Sequence, residues 1–378
     1  MVRLHLPISL SILVGLVGGC RARPAEDPHE GVDDTADDSG VQGDTGDTGD
    51  TGGTGPPRLD RALLAPPDGW YAASYHTVEP GRGLAWERDM AFRIENFTVP
   101  QVYVRPDGIL VMLATSMTTP EAGRWYLTSP DGLEWTPASE SLLDDSDFPV
   151  NCGNRLEDGF LLPTSDHGFR LVLEGTLLDE KSDRTIWRRW CQATSPDAIG
   201  FTPIGDYFYE GSPNDAHVPS VPSPFLLADG SALVYYVGDL YNDASRQGNG
   251  IRIARVPDGG DHAEPWASAN VLPAGHVDPM PVYLEGGGLR LYHTMSSQTP
   301  EVGPGPGVAE SGDASTFTPP VRLLEGEGNC NDPKGGECLL DPVYLRLPDG
   351  TMLLYFTWLR SDAEGRTSFG IGRAFATD

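Results

Sequence analysis

One pattern recurs along this sequence: an apolar segment, a tight turn that contains glycine, and a second apolar segment. The turns lie near Gly108, Gly168, Gly230, Gly287 and Gly350, so 57 to 63 residues separate successive copies. Two apolar runs joined by Asp-Gly or a similar turn predict a β-hairpin. Five hairpins at a regular interval favour an all-β fold made of repeated blades. We therefore predict a five-bladed β-propeller.

The last copy leaves its blade one strand short. Only three strands fit between the start of this copy and Asp378, so we expect the segment around 61–77 to add the fourth strand. An N-terminal strand at this position would close the ring and remove an open sheet edge. The alternative is a six-bladed ring in which residues 61–98 form a blade of their own. The 46 glycines and 34 prolines favour both arrangements over a helical bundle.

The N-terminal segment combines a positive charge, an apolar run and a cysteine. Arg3 precedes a mostly apolar run over 4–19, which ends in Val17-Gly18-Gly19-Cys20. This run is short for a membrane span and suits the apolar core of a signal peptide. Small residues before a cysteine resemble the lipobox of bacterial lipoproteins. The resemblance implies a signal peptide over 1–19 and lipidation of Cys20. An ordinary secretion signal with a chance cysteine is the alternative.

A lipid on Cys20 would place the protein in the bacterial cell envelope. Stable attachment to a membrane needs two anchoring signals, and the acyl chains of a bacterial lipoprotein exceed that requirement. We therefore expect a lipid-anchored protein at the outer membrane, either periplasmic or exposed on the surface. Its membrane contact is expected through the lipid anchor.

Residues 20–57 have the composition of a disordered tether. From residue 24 to 57 the chain holds ten acidic residues and no Lys, Arg or aromatic residue. Such a segment cannot bury enough apolar surface to offset the entropy of ordering it. Weak calcium binding by the regularly spaced aspartates is the alternative, although the EF-hand glutamate is missing. We predict an acidic tether over 20–57 that carries a β-propeller domain over 58–378.

The overall charge limits the classes of partner. The formal net charge is −29, with 26 basic and 55 acidic side chains. Proteins that bind nucleic acid neutralise phosphates with basic patches, so we expect no nucleic-acid partner. No sequence motif indicates a cofactor, and we expect none. We also expect a monomer.

Four cysteines lie in the predicted domain, and an even count in an exported chain predicts two disulfides. Cys330 and Cys338 flank a loop rich in turn-forming residues, so we expect them to pair. That leaves Cys152 with Cys191. No Cys or His spacing indicates a zinc site, and we predict no metal.

A second motif recurs in the back half of three repeats. Each copy places Ser two residues before an Asp, an aromatic residue four after it, and Thr next; the copies run over 129–136, 195–202 and 311–318. This motif resembles the Asp-box, S-x-D-x-G-x-T-W, of sialidase-like β-propellers. The resemblance implies that Asp131, Asp197 and Asp313 cap the turn between the third and fourth strands of a blade. We therefore assign these aspartates a structural role.

Two resemblances concern chemistry. Asp278-Pro279 and Asp341-Pro342 at strand starts look like the five-bladed arabinanase and xylosidase group, in which such aspartates act as base and pKa modulator. Phe92-Arg93-Ile94 looks like the sialidase motif whose arginine binds a carboxylate. The first resemblance implies Asp278 and Asp341 as candidate catalytic residues. The alternative is that Asp-Pro only caps a turn.

In a propeller, the starts of the inner strands and the loops from second to third strand lie at one face and line a central pocket. These positions carry carboxylates, histidines, arginines and aromatic side chains. The candidate ligand-binding residues are Arg93, Glu95, His217, Asp239, Tyr241, His276, His293, Trp358 and Arg360. We expect His217, His276, Asp278 and Asp341 to share one pocket at the mouth of the axis.

The sequence leaves two functions open. The first is an envelope-anchored propeller that binds extracellular glycan or another surface ligand in its axial pocket, without assured catalysis. The second is a glycoside hydrolase, arabinanase/xylosidase-like or sialidase-like, that uses paired axial carboxylates. Glycoside hydrolysis needs two carboxyl groups about 5 to 10 Å apart, so their separation distinguishes the two functions.

Overall fold

Five β-sheets form a ring of blades in the computed structural model of this protein, which confirms the predicted five-bladed propeller. Their first strands contact one another in the order one, two, three, four, five and back to one, so these inner strands surround the axis. The structure describes residues 58–116, 123–138, 143, 147–148, 152–153, 155–163, 168–179, 184–211, 219–238, 250–258, 260–266, 270–296, 302–330 and 332–378. Within these ranges no helix is long and apolar enough to cross a membrane.

Short elements precede the first blade. They are two 3₁₀ helices, Arg61–Leu63 and Ala73–His76, and the strands β1 (Thr77–Val78), β2 (Trp86–Arg88) and β3 (Ile94–Glu95). The side chain of Asp60 caps the first of these helices by accepting the backbone N–H of Ala62 at 3.0 Å.

Blades one to four each contain four strands, which follow one another in chain order from the axis to the outer edge. Blade one comprises β4 (Phe97–Val104), β5 (Leu110–Ser116), β6 (Gly123–Ser129) and β7 (Thr136–Pro137). Blade two comprises β8 (Arg155–Pro163), β9 (Phe169–Asp179), β10 (Arg184–Ser195) and β11 (Thr202–Tyr209). Blade three comprises β12 (Ser220–Leu226), β13 (Ala232–Gly238), β14 (Gly250–Val256) and β15 (Glu264–Pro265). Blade four comprises β16 (His276–Leu284), β17 (Leu289–Met295), β18 (Gly305–Ser311) and β19 (Val321–Arg322).

Blade five takes three strands from the C-terminal part of the chain and its outer strand from the N-terminal part. Its inner strands are β20 (Gly336–Arg346), β21 (Met352–Ser361) and β22 (Thr367–Ala376). Both β2 and β3 pair antiparallel with β22. The N-terminal closure is therefore confirmed, but the segment around 61–77 was the wrong choice for it. Residues 86–95 directly precede β4, so they can pass from the outer edge of blade five to blade one through a very short connection.

The segment predicted to close the ring lies elsewhere. Its last part, β1, pairs in parallel with the end of β16, where Thr77 lies opposite Tyr283. The hydroxyl of Tyr344 donates to the carbonyl of Thr77 at 3.1 Å, which ties β1 to blade five as well. Strand β1 thus attaches residues 58–78 to blades four and five, and it adds no strand to the outer edge of a blade.

The blades pack through apolar side chains, as the sequence pattern requires. Strand β4 alternates between partly exposed and buried residues, whereas β13 is buried throughout. Aromatic pairs join neighbouring blades: Tyr292 of blade four stacks on Tyr344 of blade five with ring centroids 5.4 Å apart. Near-continuous burial of middle strands is expected where sheets cover both faces of a blade.

The three Ser-x-Asp turns have one geometry. Asp131, Asp197 and Asp313 each lie between the third and fourth strands of a blade, and each carboxylate accepts the backbone N–H two residues later, at 2.8, 3.0 and 3.0 Å. Two of the following aromatic residues, at positions 135 and 317, reach a neighbouring blade. The indole of Trp135 donates to the hydroxyl of Tyr355 at 3.2 Å. These aspartates therefore have a structural role in the turns of the blades.

Both predicted disulfides are present. Cys152–Cys191 joins the connection before blade two to its third strand, across a sequence separation of 39. Cys330–Cys338 closes a short loop with a separation of 8. All four cysteines are at least nine-tenths buried. Structural disulfides are typical of oxidising compartments, which agrees with a location outside the cytoplasm.

We predict that the longer disulfide loop stabilises the domain more than the shorter one. Chain entropy gives about 4 kcal/mol for Cys152–Cys191 and about 2.5 kcal/mol for Cys330–Cys338. Urea unfolding of the double variants Cys152→Ala/Cys191→Ala and Cys330→Ala/Cys338→Ala would measure both losses. A larger loss for the second variant would contradict the prediction.

Candidate functional site

Each inner strand has a β-bulge near its start. The register between first and second strands shifts at Thr98/Gln101, Leu156/Gly159, Ser220/Ser223, Val277/Met280 and Leu340/Val343. A bulge inserts an extra residue, bends the strand and re-aims a side chain, and bulges are common at barrel rims and active sites. The five bulges thus place five equivalent positions around the axis.

Four of these bulges contain the same dipeptide geometry. A residue with positive φ precedes proline at Val99 (51°), Val221 (49°), Asp278 (53°) and Asp341 (51°). The left-handed region is uncommon for residues other than glycine, and for β-branched valine it is an outlier. Each such residue costs about 1–3 kcal/mol and persists only where its surroundings hold it. Asp278 and Asp341 therefore lie within bulged strands, and the interpretation of Asp-Pro as a turn cap is wrong.

Asp278 and Asp341 lie together on neighbouring inner strands. They are 4% and 7% exposed, and their carboxyl groups are within hydrogen-bonding reach of each other. No hydrogen-bond partner for the Oδ1 atom of Asp278 occurs in the described part of the chain. The two candidate catalytic carboxyls thus form one buried pair.

Burial controls the ionisation of this pair. It raises the pKa of Asp278 to about 6, and the negative charge of Asp158 acts in the same direction. Burial and the charges of Asp278 and Asp158 hold the pKa of Asp341 well above its usual range. Two carboxyls so close cannot both ionise easily, so the pair retains a proton into the neutral range.

Threonine side chains on the second strands bind the bulges of the next blade. The hydroxyl of Thr294 in β17 accepts the backbone N–H of Asp341 at 3.0 Å. Thr357 in β21 accepts the N–H of Val99 at 2.8 Å. Thr294 also lies within hydrogen-bonding reach of the Asp278 carboxylate, and this contact lowers the pKa of Asp278 relative to burial alone. One hydroxyl therefore contacts both members of the pair.

Blade two carries two carboxylates at the equivalent bulge, Glu157 and Asp158. Asp158 pairs with Arg124 of β6 at 3.4 Å, yet burial raises the pKa of Asp158, and the charge of Glu157 adds to this effect. Burial opposes ionisation of Glu157 too, but the charges of Arg188 and Arg155 lower its pKa overall. Sequence reasoning missed both residues because no proline marks this bulge.

An arginine–glutamate network supports the bulge of blade three. Arg188 forms ion pairs with Glu157, at 3.0 Å, and with Glu174, which is fully buried. The other carboxylate oxygen of Glu174 accepts the hydroxyl of Ser220 and the backbone N–H of Val221, both at 2.8 Å. A buried charge is tolerated only when it is paired and hydrogen-bonded, and Glu174 meets both conditions.

His276 and His293 form a buried pair at the start of blade four. Their Nδ1 atoms are 3.3 Å apart and their rings meet edge to face. Burial lowers the pKa of His293 to about 3 and also lowers that of His276. Both imidazoles are therefore neutral at pH 7 and share one hydrogen bond. The prediction that His276 and Asp278 share a pocket is supported by their positions two residues apart in β16.

Three other candidates lie on or beside blade five. Arg93 lies between β2 and β3, with its guanidinium 4.6 Å from the ring centroid of Trp358. Glu95 is exposed on β3, opposite Gly370. Residues 86–95 pair along β22 at the outer edge of blade five and directly precede β4. The expected part of Arg93 and Glu95 in an axial site stays a prediction. Trp358 is buried beneath Arg93, at 5% exposure, and is no open platform for a sugar ring.

Arg360 is exposed near the end of β21, and its closest charged partner is Glu327 at 4.0 Å. The remaining candidates, His217, Asp239, Tyr241 and the lipidation residue Cys20, lie outside the described residues. The predicted meeting of His217 with Asp278 and Asp341 therefore stays a prediction. In the described part of the chain, no group of three or more His, Cys, Asp or Glu side chains is placed to hold a metal ion.

The fold is that of known glycoside hydrolases. No protein-family model matches the sequence, and no curated protein matches it either. A thermostable family-43 glycoside hydrolase aligns with a TM-score of 0.53 and 12% identity, over 74% of this chain and 89% of that one. A glycosyl hydrolase from Bacteroides ovatus aligns with a TM-score of 0.50 and 12% identity, over 84% and 96%. A GH32 β-fructofuranosidase from Bombyx mori gives 0.52 and 12%, over 75% and 57%. At these identities the likeness establishes the propeller fold alone.

We predict that Thr294 is needed to hold the carboxyl pair. Thr294→Val removes the acceptor of a buried N–H and should reduce the free energy of unfolding by about 1–3 kcal/mol. It should also raise the pKa of Asp278, since a contact that favours the ionised form is lost. Urea unfolding and carboxyl-carbon NMR titration measure the two effects. Thr294→Ser keeps the hydroxyl and is the matched control; equal losses in both variants would contradict the role of the hydroxyl.

We also predict a pH dependence of stability that originates at Asp278. Its folded pKa of about 6 exceeds the ordinary value of 3.8, so the folded state binds the proton more tightly. The contribution is fully present below pH 3.8 and is lost as the pH rises through about 6, by about 3 kcal/mol for such a shift. The difference in unfolding free energy between Asp278→Asn and the wild type should therefore rise by this amount from pH 4 to pH 7.

Asp349→Asn serves as the control, because the backbone N–H of Thr351 lowers the pKa of this exposed turn residue. The Asp349→Asn variant should lose stability relative to the wild type as the pH rises, which is the opposite direction to Asp278→Asn. A difference for Asp278→Asn that does not change with pH would contradict the ionisation behaviour assigned to the pair.

Proposed function

We propose that this protein is an envelope-anchored propeller that binds extracellular glycan through its axial carboxyl pair. The observation that carries the proposal is the placement of Asp278 and Asp341 at equivalent bulges of neighbouring inner strands. A pair that retains one proton offers both a hydrogen-bond donor and several acceptors. Sugar hydroxyls need this combination, since each hydroxyl donates one hydrogen bond and accepts others.

The location in the cell is part of the proposal. Lipidation of Cys20 would fix the N-terminus to a membrane, and the acidic tether over 20–57 would hold the propeller away from it. The two disulfides support an oxidising compartment. The overall charge of −29 disfavours acidic glycans as ligands and favours neutral ones.

Glycoside hydrolysis is the second candidate, and the raised pKa of Asp278 favours it. A carboxylic acid with a pKa of about 6 can donate a proton near neutral pH. However, hydrolysis needs a second carboxylate on the other side of the bond, about 5 to 10 Å away. Asp278 and Asp341 form one coupled pair, so Asp158, whose charge affects both, is the candidate for a separate base.

The protonation of the carboxyls favours binding over hydrolysis. Burial raises the pKa of Asp278, Asp341 and Asp158, whereas hydrolysis needs one carboxylate that is ionised as base or nucleophile. In the hydrolase alternative, Asp158 would also need to be ionised while burial raises its pKa, although Arg124 counteracts this effect. A binding function places no such demand on Asp158.

We predict saturable binding of at least one neutral polysaccharide or oligosaccharide from a panel, measured by calorimetry with the purified protein. Asp278→Asn and Asp341→Asn should each weaken this binding tenfold or more, because they replace the shared proton and one acceptor. The same panel as chromogenic glycosides tests hydrolysis. Asp131→Asn, which alters a structural turn, is the matched control and should retain binding.

Binding that survives both axial substitutions would remove the pair from the site. Release of chromophore that depends on Asp278 and Asp158 would favour the hydrolase alternative over the binding function. Absence of binding to every member of the panel would contradict the proposal for glycans.

A further inference from the structure

A second cavity lies further along the inner strands, beyond the bulges and toward the strand ends. The C-terminal halves of the inner strands of blades one to four line it, and residues 70–76 complete the wall. The enclosed part of the cavity measures about 80 Å³ and opens to solvent through a mouth. A ligand that enters it can therefore extend from the enclosed part into the mouth.

Aromatic side chains form much of the wall. The ring of Trp70 meets Tyr283 edge to face, with centroids 5.8 Å apart, and Phe225 lies 4.5 Å from Tyr283. Tyr103 and Phe160 line the same space. None of the lining residues is Asp, Glu, Lys or Arg. An aromatic wall without charge favours a neutral, planar ligand.

His76 is the main polar group of this cavity. It is 9% exposed, and its ring stacks on Trp70 at a centroid distance of 5.8 Å. Burial lowers the pKa of His76 to about 4, so its imidazole is neutral at pH 7 with one donor and one acceptor. Its Nδ1 atom is fully buried and has no hydrogen-bond partner among the residues that the structure describes. A buried polar group without a partner costs free energy that a ligand can recover.

Two further groups can orient a ligand. Gln101, directly after the bulge of blade one, lines the cavity with an amide that can both donate and accept hydrogen bonds. The indole Nε1 of Trp70 is buried without a partner in the described part of the chain. An apolar wall with a few polar groups that converge is the usual composition of a small-molecule site.

We propose that this cavity is a second binding site, which takes a neutral aromatic compound that carries a hydroxyl or carbonyl group. The aromatic walls stack on the ring, and the imidazole of His76 and the amide of Gln101 bind the polar group. This site shares no residue with the carboxyl pair. It stands independently of the proposed glycan binding.

The test uses 2-naphthol as the probe, since it is neutral at pH 7, fluorescent and carries one hydroxyl. Titration of the full chain, followed by fluorescence and calorimetry, should give saturable binding of one molecule per chain. His76→Phe keeps an aromatic ring, and Gln101→Leu keeps the side-chain size; each should weaken binding at least tenfold. Unfolding midpoints of the variants would establish that both remain folded.

His262→Phe is the matched control, because the His262 side chain is 47% exposed and does not line the cavity. It should bind 2-naphthol like the wild type. Absence of saturable binding, or undiminished binding by the double variant His76→Phe/Gln101→Leu, would overturn the proposal. Equal affinity for cyclohexanol, which has the hydroxyl without the aromatic ring, would overturn the ligand class.

Discussion

The hydrogen bond between the amide of a bulge and the second strand of the preceding blade is the interaction on which this ring depends. Thr357 binds Val99 across the closure between blades five and one, Glu174 binds Val221, and Thr294 binds Asp341. Each bond satisfies an N–H that the bulge removes from its own ladder. Because an orphaned buried amide costs about 1–3 kcal/mol, the distorted strand is stable only with its neighbour in place. The local distortion and the assembly of the ring therefore require each other.

The same contacts explain why acidic side chains tolerate burial near the axis. Glu174 lies between Arg188, Ser220 and the amide of Val221, which together bind both of its carboxylate oxygens. Asp278 and Asp341 have no arginine partner among the described residues, and they respond by retaining a proton. Glu157 and Glu174 have arginine partners, whereas the pair without such a partner has the perturbed ionisation that is typical of functional sites. Asp158 combines both features, since it pairs with Arg124 and burial still raises its pKa.

The hairpin pattern was sufficient to predict five blades, because Asp-Gly and Gly-Gly turns act locally and each repeat carries its own. The strand that closes the ring could not be predicted in the same way. Strands β2 and β3 span only three and two residues, which is too short for an alternating apolar pattern. The proximity of Asp278 and Asp341 followed from repeat spacing, but the roles of Thr294 and Asp158 required the register between strands. The second cavity was missed because five separate segments contribute its walls.

The four X-Pro bulges share one backbone conformation and differ in the side chain that they carry. Val99 and Val221 adopt the same left-handed backbone as Asp278 and Asp341, with φ between 49° and 53°. The strain is therefore a property of the propeller and not of the carboxylates, since valine has no side-chain hydrogen bond to compensate for it. What differs between the blades is the side chain at this position. Valine supplies apolar contacts in blades one and three, while neighbouring blades four and five supply the only X-Pro carboxyls among the described bulges. A backbone shared by four blades with acidic residues in two adjacent ones is the arrangement expected when a structural position has been adapted to bind a ligand.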